Sequence, residues 1–326
     1  MQAQSDALGI SVSQVINLII DGVVEIESQP QKNKIDSIYD RLITLFESHK
    51  ITPLDMSRIL KNYGVTLSKL KSKDAILDLI TPEMIEDVSS IFGVNSKWLN
   101  GEDDYIYNPR DIMWYKNSEG MAVTILARRI IYGRVNVFVV KRDGVEFKIA
   151  EERDDNENCL DVGFILCYEK NVDGVKFEQY EVCEFQRWNY INCRNQLKLI
   201  FRFLDELNNK VSGVSFTGIS LNDNLIEKLY LGKILPVQIR NVFFNKNLWY
   251  PEELTSDIDS TYRNKKFSKF IEAYCEGPIK SFEYTPISLD GKIWSVSVFN
   301  AGNEEKQGFS SLNDALLKIH SDYLEN

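Results

Sequence analysis

Thr81-Pro82-Glu83-Met84-Ile85-Glu86-Asp87-Val88-Ser89-Ser90-Ile91-Phe92 opens with a helix start signal and continues as an apolar stripe. The Thr81 hydroxyl can accept from the free N–H groups of a first turn, and Pro82 at the first helical position loses no bond by lacking its own. Met84, Ile85, Val88, Ile91 and Phe92 then recur at spacings of three and four, which predicts one buried helical face. The same device stands upstream, where Thr52 precedes Pro53 and Asp55 completes a box-like pair. Ile38, Leu42, Leu45 and Phe46 form a further stripe, and Leu54, Ile59 and Leu60 another. Four or five short helices are therefore expected between Ile35 and about Tyr105.

Outward from this block the pattern changes on both sides. Residues 1–34 hold one apolar element, around Ile10 to Val24, and a polar run from Ser28 to Asn33 that reads as a linker. This part is expected to be an arm or an oligomerisation segment. Beyond Asn108 the spacing turns strand-like over Met121–Tyr132, Val135–Lys141, Val145–Glu151, Val162–Glu169 and Val175–Cys183. Asp143-Gly144, Asp173-Gly174 and Asp290-Gly291 fall between such runs, where positive φ suits a tight hairpin. Helices are expected at Ile191–Leu207, Asp257–Tyr274 and Leu312–Tyr323. The fold class that follows is α+β: residues 35–105 as an all-α bundle, and 106–326 as a larger domain with a mainly antiparallel sheet and interspersed helices.

Length and charge bound the function. A chain of 326 residues can bury most of its apolar surface in about two domains. Forty-eight acidic against 38 basic side chains give a net charge of −10, which repels nucleic acid unless the cations are gathered. They are gathered in one place: Arg58, Lys61, Lys69, Lys71 and Lys73 lie between Met56 and Lys73 with no acidic residue among them. A helix from Leu67 would keep Leu67 and Leu70 for the core and present Ser68, Lys69, Lys71, Ser72 and Lys73 outward. Thr66 would be its N-cap, setting the positive helix end beside a phosphate. Lysines suit phosphate contact, and serines serve phosphates or base edges. A solvated charged face, or a bundle that binds protein, accounts for the same residues.

Residues 35–105, about a fifth of the chain, resemble the Cro and phage-repressor (Xre-like) helix-turn-helix family. The resemblance rests on Gly93-Val94 followed by Trp98-Leu99-Asn100-Gly101, and on Tyr63-Gly64-Val65-Thr66 before Leu67-Ser68-Lys69-Leu70-Lys71-Ser72-Lys73. It implies a recognition helix in the major groove, duplex DNA as partner, and a homodimer on a pseudo-palindromic site. It also implies a transcription regulator whose C-terminal part associates or senses a signal, with the effector left open. The sequence departs from the family at Leu60, where a small residue is usual, and at Lys73-Asp74, where Arg-Gly is usual. No Arg or Gln is placed for bidentate base recognition.

Enzyme chemistry finds little support. His49 and His320 are the only histidines, and His49 closes a helix whose dipole favours a cation there. Phosphate loops, dinucleotide turns and nucleophile elbows are absent from the sequence. Cys159, Cys167, Cys183, Cys193 and Cys275 lack metal spacing and read as buried thiols. Glu146 and Lys148 on one strand face would weakly resemble the E-x-K of metal-dependent nucleases, but no acidic residue precedes them between Met121 and Arg142. Arg263, Lys265, Lys266 and Lys269 make a second basic group, read as helix decoration. Trp114, Trp188, Trp249 and Trp294 read as core, with a ligand pocket as the other use. No enzyme activity, cofactor, metal or membrane span is expected, and a cytoplasmic location follows from the lack of an export signal.

Overall fold

A computed structural model describes residues 12–13, 30–152, 159–210, 213–243, 248–255, 282–286, 294–300 and 303–309. The chain divides into two compact units, Met1–Ile106 and Tyr107–Asn326.

In the first unit, helix α1 (Pro30–Ser48) buries Leu42, Leu45 and Phe46. It begins inside the stretch read as a linker, because proline at a first turn is compatible with a helix. Thr52 caps α2 (Pro53–Ile59) by accepting from the Asp55 N–H, and Thr81 caps α4 (Pro82–Phe92) by accepting from Met84. Between them lies the short α3 (Lys73–Leu77), and after them α5 (Ser96–Leu99), capped by Asn95. The Phe46 and Phe92 rings meet edge to face at 5.0 Å, with Ile76, Val88, Trp98 and Leu99 buried as well. Leu54, expected in the core, is 55% exposed on α2. Val12 and Ser13 are helical; the rest of Ile10–Val24 lies outside the described residues.

His49 has a different role from the helix-end cation expected of it. Its ring packs against Phe92 with centroids 4.7 Å apart and its Nδ1 lies 2.7 Å from the Leu45 carbonyl oxygen. Burial lowers its pKa, against the raising effect of that carbonyl. A folded pKa below the unfolded value means that the unfolded chain binds the extra proton. The contribution is therefore complete above the ordinary value of 6.5 and lost as pH falls below it. Chemical denaturation of wild type and His49→Gln between pH 8 and 5 should show a stability decline in the wild type that the variant lacks.

The second unit is built on a five-stranded sheet in the order β3-β2-β1-β4-β5: β1 Val135–Arg142, β2 Asp161–Val172, β3 Val175–Arg187, β4 Val214–Leu221 and β5 Leu248–Trp249. Asp173 and Gly174, both at positive φ, close the expected β2–β3 hairpin. The sheet is mixed, however: β1 and β4 run parallel through eight pairs, from Val135↔Val214 to Arg142↔Leu221. The return from β3 to β4 passes through α8 (Ile191–Lys210), and such a crossover permits parallel pairing.

Two expected strands are helices. Met121–Tyr132 lies in α6 (Ser118–Tyr132), where the Asn117 side chain accepts from the Gly120 N–H. Its Met121, Ala122, Ile125 and Leu126 join the core over the sheet, and Thr124 and Ala127 are buried as well, so burial here does not alternate. Val145–Glu151 falls largely in α7 (Phe147–Glu152), so the Asp143-Gly144 turn leads from a strand into a helix and closes no hairpin. On one sheet face Val137, Val139, Phe164 and Leu166 pack under α6 and α8 residues such as Ile125 and Phe201. On the other, Phe138, Val140, Ile165 and Ile219 meet Ile226 and Leu229 of α9 (Asp223–Tyr230). The three layers make an α+β fold, as the sequence predicts.

The strands β6 (Phe282–Pro286), β7 (Trp294–Asn300) and β8 (Asn303–Phe309) form an antiparallel meander. Asp290-Gly291, the expected helices at 257–274 and 312–323, and the basic group Arg263, Lys265, Lys266 and Lys269 lie outside the described residues. No helix among the described residues is long and apolar enough to cross a membrane.

Candidate nucleic-acid interface

The basic segment is held by α2 on one side and α3 on the other, and its backbone differs from the helix expected. Leu60 ends α2 and is buried; a 3-10 turn, Lys61–Tyr63, follows and closes on Gly64 at φ 72. A second 3-10 turn, Lys69–Lys71, stands where the recognition helix was expected. Ser72 explains the break. Its extended backbone (φ −128, ψ 124) lets its side chain accept from Ala75 N–H as the N-cap of α3, and one residue cannot be both cap and helix interior. Thr66 caps nothing: its hydroxyl lies 3.0 Å from that of Ser68, while its carbonyl accepts from the Leu70 N–H. Leu67, assigned to the core, is 47% exposed, and Leu70 is half-buried.

The five cations separate into different environments. Lys73 is engaged internally: its Nζ lies 2.7 Å from Asp36 Oδ1 and 3.7 Å from Asp40 Oδ1 on α1, and 5.2 Å over the Tyr39 ring. The hydrogen bond to Asp36 raises its pKa above the ordinary lysine value. Arg58 pairs with Asp55 at 3.4 Å on the half-exposed surface of α2. Lys61 and Lys71 are exposed and Lys69 is half-buried. Neither Lys69 nor Lys71 has a carboxylate within ion-pair distance among the described residues. A side chain built at Gly64 would begin 3.9 Å from Lys69 Nζ, so this ammonium lies over the turn that Lys61 opens. Tyr63 ties the same turn to α4 by donating from its hydroxyl to the Asp87 carboxylate and, at 3.3 Å, to the Glu83 carbonyl.

Comparison with models of known families, with curated proteins and with solved structures returned no match. The site must be judged on its own chemistry.

That chemistry is electrostatic. The turns present ammonium groups and the hydroxyls of Thr66 and Ser68, a set that suits phosphate oxygens. They present no long helix that would fill a major groove, and the first turn of α3 carries Asp74, which opposes an anion there. The nuclease-like pair is dispersed: Glu146 precedes α7 and Lys148 lies in its first turn, so strand-face alternation does not apply to them. Cys167, Cys183 and Cys193 are buried, and burial pushes the Cys167 and Cys193 thiols up to about 12, far from a nucleophilic thiolate. No group of three His, Cys, Asp or Glu residues suited to a metal occurs among the described residues. Trp114 and Trp188 are wholly buried, Trp114 against Phe164 and Trp188 against Phe147.

Proposed function

We propose that this protein is a DNA-binding regulator whose helical unit contacts duplex phosphates through Lys69 and Lys71, with Thr66 and Ser68 as hydroxyl partners. Arg58 and Lys73 are secondary because each already faces a carboxylate. One observation supports the reading above the rest: Lys69 and Lys71 meet no carboxylate, in an acid-free segment of a chain of net charge −10. The 3-10 turn shifts the emphasis from base recognition to backbone contact, so affinity should depend more on salt than on sequence. A homodimer would place two such patches on one duplex, and the larger unit would associate or sense.

The test is a titration of fluorescent random-sequence duplex at several salt concentrations. A log–log slope of about −2 or steeper supports the reading, being two contacts at about 0.9 each. Retention that ignores salt overturns it. A second reading, a protein-docking module, would use the exposed side chains of Leu54 and Leu67. It expects a stable protein complex weakened by Leu54→Ser and Leu67→Ser, and no salt-sensitive duplex binding.

A further inference from the structure

Arg194 and Lys198 stand four residues apart on α8, hence on one helical face. That face is buried: their side chains are 12% and 10% exposed. Both approach a single oxygen, Glu151 Oε1 on α7, at 3.8 Å from Arg194 Nε and 3.9 Å from Lys198 Nζ. Those separations are ion-pair contacts but too long for hydrogen bonds, and the same oxygen already accepts the Trp188 indole N–H at 3.1 Å. One carboxylate therefore faces two cations.

The donors are also underused. Arg194 Nη1 donates to the Trp188 carbonyl at 3.1 Å and more weakly to that of Asn189 at 3.4 Å. Its Nε and Nη2, and all three N–H groups of Lys198, have no acceptor within hydrogen-bond distance among the described residues. Lys198 Nζ lies 5.6 Å from the centre of the Trp188 indole, whose other contacts include the Phe147 ring at 4.7 Å. None of these nitrogens is a fully buried atom without a partner, so each reaches solvent, and an anion that brings two or three oxygens can take the place of that water between two crowded cations.

The geometry points to an oxyanion site: phosphate, or the phosphoryl group of a small molecule, seated on the water-facing side of Arg194 and Lys198. Nε and Nη2 are the two parallel donors by which a guanidinium grips two oxygens of one anion, and Lys198 supplies a third contact as a point charge. The excess of one positive charge over Glu151 suits a monoanion. Glu151, 34% exposed, marks the side open to water.

Calorimetric titration of the full chain with inorganic phosphate at constant ionic strength tests this, with a phosphomonoester as a second arm. Saturable binding of one equivalent is expected, weakened about tenfold or more in Lys198→Met, the loss of one charge-assisted hydrogen bond. Arg194→Gln should weaken it similarly, and decides the matter if Lys198→Met does not fold. Tighter binding of the ester identifies a small-molecule ligand, equal binding identifies free phosphate, and both support the site. No saturable binding by the wild type, or unchanged affinity in both variants, overturns it.

Discussion

Replacing Lys69 and Lys71 together by Ala is expected to flatten the salt dependence of duplex binding by about 1.8 in logarithmic slope, about 0.9 for each lost phosphate contact. Between 50 and 200 mM salt those two contacts alone account for about a 12-fold fall in wild-type affinity, and the variant should lose that sensitivity. Its secondary structure should not change, because both side chains lie on one short turn with no role in the Phe46–Phe92 core. Lys73→Ala is the internal comparison. Its ammonium is already held by Asp36 and Asp40, so its removal should leave the slope unaltered. Equal flattening by Lys73→Ala would place a phosphate where the structure places Asp36. An unchanged slope in the double variant would remove the DNA reading altogether.

What could be read from the chain follows the range of the interactions. Thr52, Thr81 and the Asp173-Gly174 hairpin were legible because each satisfies neighbouring backbone with local chemistry. Ser72 is equally local, and the competition between its capping role and a helix through Leu67–Lys73 is a signal that charge patterning concealed. The gathering of lysines was visible. The neutralisation of Lys73 was not, since Asp36 and Asp40 reach it from a helix more than thirty residues away. The parallel β1–β4 pairing likewise depends on strands separated by a hairpin and a long helix. On α8 the spacing of Arg194 and Lys198 was readable, but a four-residue step says nothing about which face turns inward. Met121–Tyr132 misled because Val123, Thr124, Ile130 and Ile131 have strand-forming side chains, while the segment is a helix started by the Asn117 cap and buried without alternation.

That helix supplies the largest expected change in stability. Arg128 projects from α6 and donates from Nε and Nη2 to both carboxylate oxygens of Glu181 on β3, at 2.8 and 3.0 Å. The side chains are 18% and 21% exposed, and the Tyr132 and Tyr168 rings stack beside them at 4.1 Å. Burial alone would disfavour the guanidinium charge; Glu181 more than offsets it and raises the Arg128 pKa. Glu181→Ala leaves that charge buried without its partner and should cost about 3–5 kcal/mol in urea denaturation followed by tryptophan fluorescence. Arg128→Met combined with Glu181→Leu removes both charges and fills the space, so it should recover most of the loss. Arg134→Ala, at an exposed position just beyond α6, should stay within about 0.5 kcal/mol of wild type. This ordering distinguishes a fork that fastens helix to sheet from a general effect of removing charge. A loss below about 1 kcal/mol for Glu181→Ala would mean that Arg128 reaches water when its partner is gone, and that apolar contacts from Met121, Ile125 and Leu126 hold α6 without it.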